Sequence, residues 1–218
     1  MDRATLRTRI LRKLNDSPLA PVFWSADEMD DMVQEGQEIL AEEARALQRT
    51  ITLPKRDGWL LYRVPLDDCM TPIRIWDTQR RQRLDVVSMR RLNQAHPRWM
   101  VTTTSSTPQC WYPVTWSQFG LWPGAAQGGG TFDVTCLVWP ARMADDRSQS
   151  VWQASDEEAL VWYGVYMGLL KQFELGKALG LFAEFVQRFQ DVTARHGARE
   201  IANRVWERQD ADRGNHTG

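Results

Sequence analysis

Residues 119–140 read FGLWPGAAQGGGTFDVTCLVWP. A glycine-rich loop between two apolar runs has two readings, and they belong to different folds. As a phosphate loop it follows a strand and opens a helix, as in nucleotide-binding α/β enzymes. As a turn it joins two strands of an antiparallel sheet. A phosphate loop of the Walker type needs GxxxxGK[ST], whose lysine and backbone N–H groups surround the phosphates. Gly124 to Gly130 contains no lysine, and the TFDVTCLVW that follows is patterned as a strand, not a helix. The stretch therefore reads as a β-hairpin with its tip at about 124–130. Trp122-Pro123 and Trp139-Pro140 lie at its two ends, where a proline stops the ladder because it has no N–H to donate.

The β pattern extends on both sides of this stretch. ITLP and GWLLYRVPL carry β-branched and aromatic residues interrupted by prolines. PIRIW and RLDVV, with DTQRRQ between them, read as a second hairpin. SMRRLNQAH fits one or two helical turns stopped by Pro97. WYPVTWSQF reads as a strand. Residues 50–140 are thus expected to form short antiparallel strands in a small sheet or sandwich.

Both flanks are helical. Leu6, Ile10 and Leu14 recur at spacing four, and the run stops at Asn15-Asp16-Ser17-Pro18. Trp24-Ser25-Ala26-Asp27-Glu28 predicts a capping box, with the acidic residues placed where the helix dipole favours them. The apolar stripe that follows predicts a helix to about residue 48. Ser155-Asp156-Glu157-Glu158 has the same letters and predicts a second box. Apolar residues continue at helical spacing from Ala159 to Phe173 and from Ala178 to Val192, with Gly176 as the break and Gly197 as an end or bend. Ile201 and Val205-Trp206 fit a last helical piece before a polar, mobile tail. The fold class is therefore α+β, mainly α. Residues 1–49 and 150–206 supply a helical bundle, 50–149 an inserted antiparallel β-rich region, and 207–218 the tail.

The chemistry of catalysis is not marked. His96, His196 and His216 lie near element ends or in the tail, no serine sits in a GxSxG elbow, and no HxxxH or ExxH cluster appears. No catalytic residue, cofactor or metal is expected. Cys69, Cys110 and Cys136 are too few and too scattered for a disulfide framework or a zinc site, and read as reduced thiols. No apolar run is long enough to cross a bilayer. Lys and Arg number 27 against 28 Asp and Glu, a balance without the positive field of a free-standing nucleic-acid binder. Arg80, Arg81, Arg83, Arg90 and Arg91 form the one basic concentration. They read either as a solvated hairpin tip and helix face, or as a contact for DNA backbone or an acidic surface.

Eleven tryptophans, seven of them between Trp59 and Trp139, suit core packing, protein interfaces or carbohydrate stacking. With no catalytic signature beside them, this profile fits an assembly subunit better than an enzyme. A tryptophan-rich carbohydrate- or receptor-binding tail component is the alternative, and it predicts a row of exposed rings on one sheet face.

The order of elements resembles that of the head-to-tail adaptor (connector) proteins of tailed bacteriophages. LRTRILRKLND leading into WSADEMDDMVQEGQEILAEE is similar to their early capped helix. VPLDDCMTPIRIWDTQRRQRLDVVSMRRLNQ resembles their strand, hairpin and short helix. Gly120-Leu121-Trp122-Pro123, the turn and the returning strand ending in Trp139-Pro140 resemble their Trp-Pro strand pair. SDEEALVWYGVYMGLLKQ with LFAEFVQRFQDVTAR resembles their closing helix pair. Gly124-Ala125 departs from the pattern, which has a second proline there.

The resemblance implies a virion structural protein made in the host cytoplasm and built into the neck, with no membrane. It implies a ring, commonly a dodecamer, that joins portal to tail and extends the channel for genomic DNA. Trp122, Pro123, Gly128, Gly129, Gly130, Trp139 and Pro140 are then expected at an assembly interface with a tail or neck protein or a neighbouring copy. Trp206, Arg208 and Arg213 are expected at the portal protein.

Overall fold

The computed structural model describes residues 1–16, 23–99, 105–125 and 129–215, with the side chains of 105, 106, 125 and 198–215 outside that description. In chain order the elements are α1 (Arg3–Lys13), α2 (Ala26–Ala44), β1 (Gln48–Pro54), β2 (Leu61–Arg63), β3 (Cys69–Asp77), β4 (Gln82–Arg83), β5 (Asp85–Val86) and α3 (Met89–Ala95). They continue with β6 (Ser105–Ser106), β7 (Cys110–Thr115), β8 (Gln118–Trp122), β9 (Gly124–Ala125), β10 (Thr131–Val138), α4 (Ala154–Lys171) and α5 (Leu175–Asn215). The fold is α+β, and the chain divides into two compact units, Met1–Ala46 with Pro140–Gly218 and Leu47–Trp139.

In the helical unit, α1 begins under an Asp2 cap whose carboxylate accepts the Thr5 N–H at 2.8 Å. The α2 capping box forms as predicted, with Ser25 accepting the Glu28 N–H and Glu28 accepting the Ser25 N–H. The helix ends at Ala44, short of the expected 48, because Arg45 turns left-handed at φ 49° and Gln48 already belongs to a strand. Leu6 and Ile10 of α1, with Leu14 at its C-cap, meet Met29 and Val33 of α2 and Val161, Val165 and Leu169 of α4 in one core. Two glycines on α4 let α1 come close. A Cβ at Gly164 would sit 2.5 Å from Ile10 Cδ1, and one at Gly168 would sit 2.6 Å from Leu14 Cδ1.

The second capping box does not form. Gln153 is the N-cap of α4 and makes no side-chain cap bond. Asp156 and Glu157 are buried and engaged elsewhere, Asp156 by Arg195 and His196 and Glu157 by the Met1 amine. The break between the last two helices lies at 172–174, where Phe173 takes φ 58°, and not at Gly176, which sits inside α5. Gly197 does not end α5. Its backbone is helical to Asn215 and so includes most of the segment read as a tail.

The β unit has two four-stranded sheets, ordered β1-β10-β3-β4 and β2-β8-β7-β5. Ile75, Phe132 and Val134 from the first face Trp111, Phe119 and Leu121 from the second across a common core. The outer side of the second sheet is covered by α3, where Leu92 and Trp99 pack on Tyr112 and Cys110.

Three strand expectations are corrected. First, 119–140 is not a hairpin. β8 and β10 belong to different sheets, and the glycine-rich loop crosses from one layer to the other. β8 instead pairs with β7 around a turn at Trp116-Ser117, inside what reads as the single strand WYPVTWSQF. Second, RLDVV is split: Gln82–Arg83 pairs back on β3, whereas Asp85–Val86 joins the other sheet beside β7. Third, the sheets are not wholly antiparallel, because β5–β7 and β6–β9 are parallel pairs.

Candidate functional site

The β3–β4 turn carries Arg80, Arg81 and Arg83, all exposed. Asp77, fully buried at its base, fixes its shape. Asp77 Oδ1 accepts from Lys55 Nζ at 2.6 Å, from the Gln79 N–H at 3.1 Å and from the Arg80 N–H at 3.2 Å. Two aligned backbone donors on one carboxylate make an Asx-type turn, which commits the chain to reverse here. Arg81 holds φ 54° at the apex, the Arg80 guanidinium donates to the Thr107 hydroxyl, and Arg83 lies in register with the exposed Trp76. Lys55 itself is nearly buried and stands 4.9 Å from the centre of the Phe132 ring.

The returning end of the glycine-rich loop meets this turn. The Lys55 N–H donates to the Gly130 carbonyl at 3.1 Å, and the Thr78 N–H donates to the Thr131 carbonyl at 3.2 Å. Gly129 and Gly130, at φ 141° and 84°, are exposed, and Gly130 lies beside Gln79. The fold thus brings together two groups that the sequence keeps as separate sites, the arginine turn and the glycine loop. Lys55 and Asp77 were missed as its support. The one signal available was Asp77 opening DTQRRQ, an Asx-turn position.

The remaining candidates are scattered. Arg90 and Arg91 are exposed on α3, in the layer over the second sheet. Trp122 is half-buried in the small core under α3 and stacks on His96 with ring centres 4.1 Å apart. Pro123 is buried, and its peptide bond to Trp122 is cis. Trp139 is partly exposed and its backbone N–H donates to the Asp68 carbonyl at 2.9 Å, and Pro140 is buried. Gly128 lies outside the described residues, as do the side chains of Trp206, Arg208 and Arg213.

Exposed indoles at Trp59, Trp76, Trp116 and Trp139 stand on four different segments rather than in a row on one sheet face. Trp24, Trp99, Trp111 and Trp152 are core residues. The closest approach to a catalytic pair is His196 Nε2, 3.0 Å from Asp156 Oδ2, but the neighbouring Ser155 hydroxyl donates to Asp156 and not to the imidazole. Among the described residues no group of three or more His, Cys, Asp and Glu is arranged to hold a metal. The three cysteines are free and buried, and burial, reinforced by the adjacent Cys69, pushes the Cys136 thiol up to about 12. No helix among the described residues is long and apolar enough to cross a membrane.

The chain is thus an α+β fold, with a layered β unit that carries a braced, exposed arginine turn and a helical unit whose α1, α2 and α4 meet in a core of their own. Residues 1–210 match the family model described as SU10 adaptor protein. The chain belongs to that family, whose members are phage head-to-tail adaptors and virion components, and a structural adaptor family points to a non-enzymatic protein. No curated protein matches the chain.

Proposed function

We propose that this protein is the subunit of a homo-oligomeric ring, a dodecamer by family resemblance, that sits beneath the portal, joins it to the tail and extends the DNA channel. The family match over residues 1–210 carries this reading. In it, the helices of 1–49 and 150–206 form the bundle of the ring body. The β-rich insertion, 50–149, faces neighbours and tail, and the C-terminal segment with Trp206, Arg208 and Arg213 meets the portal protein.

A ring contact is heterologous, so each subunit needs two different faces. The end of the β unit that carries Gly129, Gly130, Arg80 and Arg81 supplies one distinct surface. Trp122 and Pro123 act there through packing, by fixing the strand from which the loop leaves, while Gly128, Trp139 and Pro140 extend the surface. Arg80, Arg81, Arg83, Arg90 and Arg91 are the contact for passing DNA or for an acidic neighbour. A near-neutral chain suits a channel in which DNA must slide.

The test is mass photometry of the purified chain with and without its portal ring, followed by electron microscopy of virions. Ring-sized complexes on the portal and density for this chain at the neck are expected. A neck without that density overturns the reading.

A further inference from the structure

Among the described residues, β1 is the one long edge strand of the β unit. The other edge strands of the two large sheets are short: β2 has three residues, and β4 and β5 have two each. β1 has seven and pairs on one side only, with β10. Short strands, charged side chains and prolines are the usual means by which an edge is kept from pairing with other chains. On β1 these means are sparse. Leu53 is buried in the core and Ile51 packs against it, so the alternate residues Gln48, Thr50, Thr52 and Pro54 face outward. None of them is charged, and the proline comes last. The one charged residue, Arg49, is held at the start of the strand by Asp68.

The register identifies the open backbone groups. The Val138 N–H donates to the Leu47 carbonyl at 3.0 Å, and the Lys55 N–H donates to the Gly130 carbonyl at 3.1 Å. With Gln48 opposite Leu137 and Pro54 opposite Thr131, these two bonds set the phase of the ladder. Bonded and non-bonded pairs alternate along an antiparallel ladder. Residues 49, 51 and 53 therefore bond β10, and the N–H and C=O groups of Thr50 and Thr52 point away from it. Pro54 adds a carbonyl and no N–H. The threonine hydroxyls are engaged on β10: Thr50 Oγ1 lies 3.0 Å from Thr135 Oγ1, and Thr52 donates to Asp133 Oδ1 at 2.7 Å. Among the described residues nothing bonds the outward N–H or C=O of Thr50 or Thr52.

A row of outward donors and acceptors at alternate residues takes an extended strand. A second copy of this chain has one strand to offer, its own β1. Its other described strands are paired on both sides or have only two or three residues. β1 against β1 uses the same edge on both copies, so the contact is isologous and closes at two. A ring contact is heterologous and leaves no place for such a pair. The occupant is therefore a different protein, a step that rests on the ring reading.

We infer that β1 is completed by an extended segment of another virion protein, which pairs with the backbone of Thr50 and Thr52 and adds a fifth strand to the sheet. Residues side by side on neighbouring strands share a face. The positions of the segment beside Ile51 and Leu53 turn toward the core and are apolar. Those beside Thr50 and Thr52 turn outward and are polar. The segment has no proline where its N–H groups meet the Thr50 and Thr52 carbonyls.

The test begins with hydrogen exchange of the purified full chain at residue resolution. The Thr50 and Thr52 amides should exchange about 100-fold faster than those of Ile51 and Leu53. Equal protection at all four means that the chain covers its own edge, and overturns the inference. Electron cryomicroscopy of wild-type necks should then show a strand of another protein about 4.8 Å from β1. A bare edge, or one occupied by a second copy of this chain, overturns it. Thr52→Pro removes an outward donor and leaves the β10 bonds in place, since proline is tolerated where its missing N–H faces out. Thr52→Val loses the same hydroxyl and keeps the N–H. Phage carrying Thr52→Pro should yield about tenfold fewer tailed particles than phage carrying Thr52→Val. Equal yields count against the pairing, and if Thr52→Pro fails to fold, the wild-type exchange and neck images decide. Rings on the portal with a bare β1 defeat this inference and leave the ring reading standing. A foreign strand on β1 in a neck where this chain forms no ring does the reverse.

Discussion

Replacing Lys55 by methionine should destabilise the β unit far more than the loss of one surface charge would. Asp77 is fully buried, and Lys55 Nζ at 2.6 Å is the cation that balances it. Removing one member of a buried pair leaves the other charge uncompensated, at about 3–5 kcal/mol. Asp77→Asn is milder, at roughly 2–4 kcal/mol. The amide oxygen still accepts from Gln79 and Arg80, and the Lys55 ammonium keeps the Phe132 ring. The double variant Lys55→Met/Asp77→Asn has no buried charge and loses only hydrogen bonds, about 1–2 kcal/mol. The coupling between the two positions is then at least about 3 kcal/mol. Urea unfolding followed by tryptophan fluorescence reads it, with hydrogen exchange of β3 and β10 assigning the transition to the β unit. With a slope near 1 kcal/mol/M for a unit of this size, Lys55→Met lowers that midpoint by about 3–5 M, or unfolds the unit outright where its stability is smaller. If the two single costs simply add, or if Lys55→Met costs under about 1 kcal/mol, the Asp77 carboxylate is not held as described. The arginine turn would then lack its brace.

Gly120→Ala places a Cβ 2.0 Å from Tyr112 Cζ; it should cost about 3 kcal/mol and detach α3, measured as lost exchange protection at Leu92, with Tyr112→Leu restoring part of it. Ser25→Ala removes one side of the α2 capping box and should cost about 1 kcal/mol in the helical unit, read by thermal melting. The Asp156 carboxyl is pushed up by burial but pulled further down by hydrogen bonds from His196, Arg195 and Ser155, so it stays below the usual range. A depressed carboxyl adds stability that is complete above its unfolded pKa, near 3.9, and is lost as the pH falls through the lower folded value. Asp156→Asn should therefore cost about 1–3 kcal/mol at neutral pH, with Arg195 half exposed and so partly screened. That deficit should shrink as the wild type is acidified from about pH 5 downward, and a constant deficit across that range would refute the linkage.

What was legible in the sequence was local. The Ser25–Glu28 box, the α1 stripe and the short α3 that stops before Pro97 depend on residues close to each other in sequence, and each forms where its letters predict. The second box, Ser155–Glu158, failed although its letters are as good. Ser155 already lies inside α4 and donates to Asp156, and the Glu158 carboxylate is taken by Arg9 and Lys13, far away in sequence, a competition with no local sign. The break at Gly176 failed for a related reason. Glycine is the usual residue at a reversal, yet here Phe173 takes the left-handed position and the glycine stays helical.

The stretch 119–140 shows the same limit at the level of layers. The alternation of Phe119 with Leu121, and of Phe132 with Val134, turns all four to the core. It is equally satisfied by a hairpin in one sheet and by two strands facing each other across a sandwich, because both arrangements bury the same faces. Only the partners differ: β8 pairs with β2 and β7, and β10 pairs with β1 and β3. The consequence for the candidate site is direct. A hairpin tip would be held only by its own two strands. A loop that changes sheets has each end held in a different sheet, and its far end is tied to Lys55 and Thr78 at the base of the arginine turn. The glycines and the arginines therefore form one surface, whose position is set by the buried Asp77 and Lys55 beneath it.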